Sequence, residues 1–180
     1  MAARVETEIK LRVDEPEAAR RAVAALGATR VRERHFEDNT LFDRGGRTLL
    51  RSGRTLRLRR AGGRALVTYK GPREDRADGL KHRPEIEVEV GDADAFEALL
   101  LALGYRRSFR YQKYRETWTW GGVEIVLDEM PIGTFLEIEG EAEGIHAAAR
   151  ALGFSPEDYI VESYTGLFAA RGGRGDMLFE

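Results

Sequence analysis

The sequence predicts an α+β domain in which a strand-rich, pseudo-symmetric sheet carries its helices on the outside, and three observations predict it. Residues 5 to 13 alternate strictly, with Val5, Thr7, Ile9, Leu11 and Val13 on one face and Glu6, Glu8, Lys10 and Arg12 on the other, the two-residue period of a strand. A strand-then-helix unit recurs: Glu6-Thr7-Glu8 leads to a helix ending Ala25-Leu26-Gly27, Glu85-Ile86-Glu87 to one ending Ala102-Leu103-Gly104, and Glu137-Ile138-Glu139 to one ending Ala151-Leu152-Gly153. The third spacing is shorter, which marks a degenerate duplication and not a solenoid. Lastly, charge is sorted by strand. Arg57 and Arg59 share a face, Lys70 lies beside Thr68, and Lys113 sits with Arg115, whereas Asp128 and the Glu-x-Glu pairs occupy other strands.

The elements follow in order. After the first strand, Asp14 is placed to cap a helix over Pro16 to Leu26, whose Ala18, Ala22, Val23 and Leu26 recur at helical spacing before Gly27 stops it. Strands are expected at 29 to 37, 40 to 43, 54 to 60, 65 to 70, 83 to 90, 107 to 120, 123 to 129 and 133 to 139. Gly62-Gly63 and Gly121-Gly122 read as hairpin turns between alternating runs. The polar stretch Gly71 to His82 reads as a mobile loop. A helix at 93 to 103 starts behind Asp92 as cap, with Phe96, Leu99, Leu100 and Leu103 as a core stripe. Further helices are expected at 141 to 152 and at 156 to 169, the last opened by Ser155-Pro156. Trp118 and Trp120 share a face and belong on the exterior under a helix. Residues 1–170 read as a single domain and 171–180 as a loose tail.

Composition bounds the function. At 180 residues, 42% hydrophobic and 33% charged, the chain suits one domain, and the lack of any cysteine removes thiol nucleophiles, zinc fingers and disulfide scaffolds together. A net charge of −2 argues against an extended nucleic-acid or membrane surface. The charged start does not read as a signal peptide and no apolar run approaches a membrane span, so a cytoplasmic location is expected. His35, His82 and His146 are scattered and read as surface or capping residues. Only four residues are lysines, Lys10, Lys70, Lys81 and Lys113, and Lys81 has no evident task.

If the strands close into a barrel, the apolar faces meet the helices and the charged faces point into the lumen. Glu6, Glu8, Glu85, Glu87, Asp128, Glu137 and Glu139 would then crowd together, and like charges at close quarters require cations or raised pKa values. Carboxylates without His or Cys are hard oxygen ligands that suit Mg²⁺ or Mn²⁺ and disfavour zinc. The bases Lys10, Arg57, Arg59, Lys70, Lys113 and Arg115 could surround a linear polyphosphate, with arginines as forks and lysines as point charges. No P-loop pattern is present, so side chains would do the gripping.

Taken together, these residues resemble the CYTH superfamily, the triphosphate tunnel metalloenzymes, which includes class IV adenylyl cyclases, thiamine triphosphatases and inorganic triphosphatases. The Glu-x-Glu-x-Lys signature stands as Glu6-Thr7-Glu8-Ile9-Lys10, followed in family order by Asp38 to Asp43, Leu56 to Arg59, Thr68 to Pro72, Arg83 to Glu87, Lys113 to Arg115, Asp128, Gly133 to Glu139 and Ser163-Tyr164. Leu41 replaces the first aromatic of the family's Asp-x-x-Tyr-Phe-Asp segment, and Phe42 keeps the second. The resemblance implies an eight-stranded antiparallel closed tunnel barrel holding a triphosphate lengthwise. Glu137 and Glu139, with Asp128 near them, would hold one metal; Glu6 and Glu8, assisted by Glu85 or Glu87, a second metal or the attacking group. Lys10, Arg57, Arg59, Lys70, Lys113 and Arg115 would grip phosphate oxygens, with catalysis centred on Glu6, Glu8 and Lys10. Arg83 lies on a strand where family members vary. Dimers among relatives allow a homodimer.

The substrate implied is tripolyphosphate, ATP or thiamine triphosphate. Water as nucleophile gives hydrolysis; the ribose 3′-hydroxyl of ATP attacking the α-phosphorus gives cyclic AMP and pyrophosphate. No purine-reading motif is identifiable, and positioning a water asks for fewer contacts than seating a nucleoside, so hydrolysis is the favoured reading and cyclisation the alternative. A non-catalytic binder of nucleotides or polyphosphate is a third reading, against which the interior acids argue.

Overall fold

Alternation along each strand, apolar on one side and polar or charged on the other, is satisfied here by closing the sheet. The computed structural model describes residues 4–74 and 76–180; Met1 to Ala3 and Asp75, the latter inside the expected mobile loop, lie outside the described residues. Eight strands, β1 (Arg4–Val13), β2 (Thr29–Asp43), β3 (Thr55–Ala61), β4 (Arg64–Lys70), β5 (Lys81–Val90), β6 (Arg106–Trp120), β7 (Val123–Met130) and β8 (Gly133–Glu139), form an antiparallel barrel in the order β1-β5-β4-β3-β2-β6-β7-β8. The first strand closes it, pairing with β5 through Glu6↔Arg83 and Glu8↔Lys81 and with β8 through Lys10↔Glu137 and Leu11↔Leu136.

Helices α1 (Pro16–Ala25), α2 (Thr48–Arg51), α3 (Ala93–Ala102), α4 (Ala142–Ala151) and α5 (Tyr164–Ala170) lie along the chain between and after the strands. The main core sits between the barrel's outer face and α1 and α4: Ile9, Leu11, Ile125, Leu127, Leu136 and Ile138 pack with Val23, Ile145, Ala148 and Ala149, all buried. Trp118 is in the same cluster and Trp120 packs against it, donating its indole N–H to the Leu26 carbonyl at 2.9 Å, so the expected exterior face is where both rings lie. Both glycine pairs make hairpin turns with φ of 57° and 77° at Gly62-Gly63 and 55° and 86° at Gly121-Gly122, a left-handed pair that a Cβ would strain. Asp92 caps α3 by accepting from the Asp94 and Ala95 amides, both at 2.9 Å.

Several local expectations are corrected. The strands expected at 29 to 37 and 40 to 43 are one strand, because Asp38 and Asn39 pair without interruption with Gln112 and Tyr111 of β6 and with Arg60 and Arg59 of β3. Asp14 does not cap α1; Glu15 occupies that position and makes no side-chain cap. The helix expected over 156 to 169 is interrupted: a 3₁₀ turn at Pro156–Asp158 gives way to extended chain, where Ile160 exchanges backbone hydrogen bonds with Lys10 before α5 begins. Of the expected stripe only Leu100 is buried; Phe96 is half-buried, and Leu99 and Leu103 are exposed. The end of the expected loop is anchored at 78–82: Leu80 is fully buried, and His82 bridges Thr7 (2.9 Å) and Asp78 (2.7 Å). In place of a loose tail, Met177 is buried and pairs with β6 through Met177 N–H to Arg110 O and Gln112 N–H to Met177 O.

Candidate active site

The inner barrel face is charged, and strand order divides it into two arcs. Strands β8, β1 and β5 are neighbours and carry Glu137 and Glu139, Glu6 and Glu8, and Glu85 and Glu87; β4, β3, β2 and β6 follow and carry Lys70, Arg57 and Arg59, and Lys113 and Arg115. Between the arcs lies a cavity of about 110 Å³. Its wall includes ten expected residues: Glu6, Glu8 and Lys10 from β1, Arg57 and Arg59 from β3, Lys70 from β4, Lys113 and Arg115 from β6, and Glu137 and Glu139 from β8. Arg83 joins them from β5, as do Tyr164 and its flanking Ser163 and Thr165.

Three expected acids are not on this wall. Asp128 is fully buried and receives hydrogen bonds from Lys113 Nζ at 3.0 Å, Arg115 Nε at 2.7 Å and Nη2 at 2.5 Å, and the Tyr164 hydroxyl at 2.9 Å. Glu85 faces Lys70 at 2.8 Å, and Glu87 accepts from the Thr68 hydroxyl at 2.7 Å and lies 3.6 Å from Arg57.

Each arc also contains residues of opposite sign: Lys10 and Lys81, with Arg83 on the wall, in the acid arc, and Glu37 in the basic one. Lys10, almost wholly buried in the acid arc, donates to Glu8 at 2.9 Å and pairs with Glu137 at 3.2 Å. Burial works against its charge, but Glu8 and Glu137 outweigh it and hold its pKa well above the ordinary lysine value. In the basic arc the counterpart is Glu37 of β2, fully buried, 3.6 Å from Lys113 and 3.5 Å from Arg59. Burial would raise its pKa, yet Lys113 and the His35 hydrogen bond hold it far below the carboxylate range.

What remains is an imbalance in each arc. Burial, then Glu8, raises Glu6 against the pull of Lys70, and burial, then Glu6, pushes Glu139 up to about 7. Glu8 and Glu137 go the other way: burial is overcome at Glu8 by Lys10 and Lys81, and at Glu137 chiefly by Lys10. The acid arc is thus over-supplied with negative charge. Opposite, burial and then Arg57 lower the pKa of Arg59, and the buried Nε atoms of Arg57 and Arg59 have no hydrogen-bond partner among the described residues. Buried donors without acceptors are costly, and an anionic ligand is one group that would satisfy them.

The sequence reading missed Lys81, Glu37, Asn39 and Tyr111. Lys81 is buried and donates to Glu8 at 2.5 Å, with its pKa lowered by burial despite that contact. Asn39 is fully buried with neither amide atom partnered among the described residues, and Tyr111 accepts from Arg57 at 3.3 Å. A signal existed: Lys81 precedes Arg83 by two, Tyr111 precedes Lys113 by two, and Glu37, Asn39 and Leu41 alternate, so extending each strand by its period places them on the inner face.

Among the described residues no three His, Cys, Asp or Glu side chains converge in a ready-made metal cage. The donor chemistry nonetheless suits a hard divalent cation, because Glu6, Glu8, Glu137 and Glu139 offer only oxygen and the raised Glu6 and Glu139 mark uncompensated charge. Mg²⁺ binds in this manner, through one or two carboxylates plus waters and phosphate oxygens.

Comparison with known proteins gives the following. The CYTH domain model matches residues 4–164. The chain is 28% identical over 171 residues to the "Putative adenylate cyclase MJ0240" of Methanocaldococcus jannaschii, covering 89% of this chain and 96% of the relative. It is 30% identical over 138 residues to Adenylate cyclase CyaB of Aeromonas hydrophila, covering 75% and 68%. Its fold is shared by HpAC1 of Hippeastrum, an adenylyl cyclase by name with "a dominant" triphosphatase activity, at a TM-score of 0.69 and 20% identity over 94% of this chain and 97% of that one.

Proposed function

This chain belongs to the CYTH domain family, and from that membership we propose that its tunnel grips the phosphate chain of a triphosphate and hydrolyses it with the help of Mg²⁺ or Mn²⁺. The observation that carries the reading is the pairing of two incomplete arcs, an acid one with surplus negative charge and a basic one with unpartnered guanidinium nitrogens. A bare anion site would have no use for the first and a bare cation site none for the second. A phosphate chain with its cations answers both.

Lys10, Arg57, Arg59, Lys70, Lys113 and Arg115 hold the phosphate oxygens, arginines by forked contacts. Asp128, enclosed by its three donors, orients Lys113 and Arg115. Glu6, Glu8, Glu137 and Glu139 would hold the two divalent cations, which would supply positive charge at the phosphate oxygens. Both lysine contacts on Glu8 fall on Oε1, which leaves Oε2 to accept a hydrogen bond from the attacking water. Kept ionised by Lys10 and Lys81, Glu8 orients that water more than it deprotonates it, as suits a loose phosphoryl-transfer transition state. The water oxygen bonds to the terminal phosphorus, the bond to the bridging oxygen breaks, and the electron pair leaves on pyrophosphate, whose charge the arginines receive. Water's proton ends on the released phosphate.

The names of the M. jannaschii and A. hydrophila relatives favour a second reading, cyclisation of ATP by its 3′-hydroxyl with release of pyrophosphate. The Hippeastrum protein bears a cyclase name and a dominant triphosphatase activity on this fold, so the name alone does not choose. Incubation with tripolyphosphate and with ATP, each with Mg²⁺ or Mn²⁺, decides. Orthophosphate from tripolyphosphate supports hydrolysis, cyclic AMP from ATP supports the second reading, and binding with neither product refutes both. No described helix is long and apolar enough to cross a membrane, and the proposal places the reaction in the cytoplasm.

A further inference from the structure

The thirty residues from Arg44 to Arg73 hold ten arginines and lysines and no aspartate or glutamate, in a chain of net charge −2. Arg57, Arg59 and Lys70 of this run face the tunnel, while Arg60 pairs with Glu97 at 2.8 Å and Arg64 with Glu89 at 2.6 Å. The connection from β2 to β3 differs. Arg47, Arg51 and Arg54, on and beside α2, are exposed and meet no carboxylate among the described residues, and Arg44 lies over the Tyr105 ring at 4.7 Å. This connection also sits at the tunnel's rim. It leaves β2 just after Leu41 and enters β3 at Thr55, both on the cavity wall, and Arg83 of that wall donates to the Gly53 carbonyl at 2.8 Å.

We propose that Arg47, Arg51 and Arg54 form a collar that binds phosphate units beyond those in the tunnel, so that the substrate class extends to linear inorganic polyphosphate longer than three units. The inference rests on the reading that a phosphate chain occupies the tunnel. Arginine forks match phosphate oxygens along a chain, and exposed unpaired cations at a rim raise local polyanion concentration. A 5′-triphosphorylated RNA fits less well, since single strands are held largely by stacking on aromatic faces. Residues 44 to 54 include no aromatic, and the neighbouring Tyr105 ring is covered by Arg44.

The test is calorimetric binding, with Mg²⁺ and no need of turnover, of tripolyphosphate and of a polyphosphate several times longer to the wild type and to Arg47→Ala/Arg51→Ala/Arg54→Ala. Three exposed contacts predict that the wild type prefers the longer chain by roughly tenfold and that the triple variant loses this preference while keeping its tripolyphosphate affinity. The variant's long-chain binding also becomes less sensitive to salt. A preference that survives the triple variant, or equal loss for both ligands, overturns the collar. Tighter binding of a 5′-triphosphorylated oligonucleotide than of polyphosphate overturns the choice of ligand. Lys113→Met keeps the two readings apart, since tripolyphosphate binding untouched by that change overturns occupancy of the tunnel, whatever the collar does.

Discussion

The acid arc of β8, β1 and β5 and the basic arc of β4, β3, β2 and β6 are built on one plan with the signs exchanged. Each buries residues of opposite charge on its inner face, Lys10 and Lys81 in the first and Glu37 in the second. They differ in what is left over. In the acid arc the surplus appears as raised pKa values at Glu6 and Glu139, because a carboxylate can relieve crowding by taking a proton. Arginine has no such outlet near neutral pH, so the basic arc's surplus appears as unpartnered donors at Arg57 and Arg59. A site can therefore advertise a missing cation through pKa and a missing anion through unsatisfied hydrogen bonds.

Substitutions can break this contrast, and the largest effect is expected at Glu137. Glu137→Gln removes a carboxylate while Lys10 keeps Glu8 and Arg115 keeps Asp128, so turnover should drop roughly a thousandfold with the fold retained. Phosphate-release rates beside a melting curve check this, and unchanged turnover would remove Glu137 from the site. The next residue, Ile138, points to the other side of the wall and is fully buried under α1 and α4. Ile138→Ala should cost about 2 to 5 kcal/mol in chemical denaturation and leave turnover per folded molecule near wild type.

Arg59→Met sharpens the basic arc. Losing contacts to a charged ligand costs about 1.5 to 3 kcal/mol, so KM should rise by at least tenfold, while stability holds or improves because an unfavourably buried charge is gone. A stability loss larger than the change in KM would mean that Arg59 serves the fold.

The smallest effect concerns pH, measured in chelator. Glu139 has an ordinary value of 4.5 and a folded value of about 7, so between those pH values the folded state holds more protons than the unfolded one. Stability then falls as pH rises through that window and levels off above it. A thermal midpoint dropping by a few degrees is expected. Glu139→Gln should flatten the curve, as should adding Mg²⁺; a midpoint that rises across the window refutes the assignment.

How much was legible follows from period. Glu6, Glu8 and Lys10 alternate with Ile9 and Leu11, so their side of the wall could be read directly, and the same holds for Arg57 and Arg59 or Glu137 and Glu139. Lys81 was assigned to a loop because its surroundings are polar and glycine-bearing, and nothing local shows that Leu80 beside it is fully buried. Likewise, Asp128 and Glu137 look alike in sequence as acids on inner faces, yet one is sealed behind three donors and the other lines the cavity.

The sequence by itself determined the α+β class, the strands and turns, and which side chains share a face, because a two-residue period is a local property of the chain. Only the tertiary structure decided that three acidic strands would be neighbours, that Lys81 would meet Glu8 across 73 residues of chain, and that Asp128 would be taken up by Lys113, Arg115 and Tyr164. Strand order is set by closure, through pairings such as Glu8↔Lys81 and Lys10↔Glu137, and long-range pairing leaves no mark on local spacing. Net charge near zero is the same whether acids and bases are mixed or sorted into opposed arcs. The barrel sorts them.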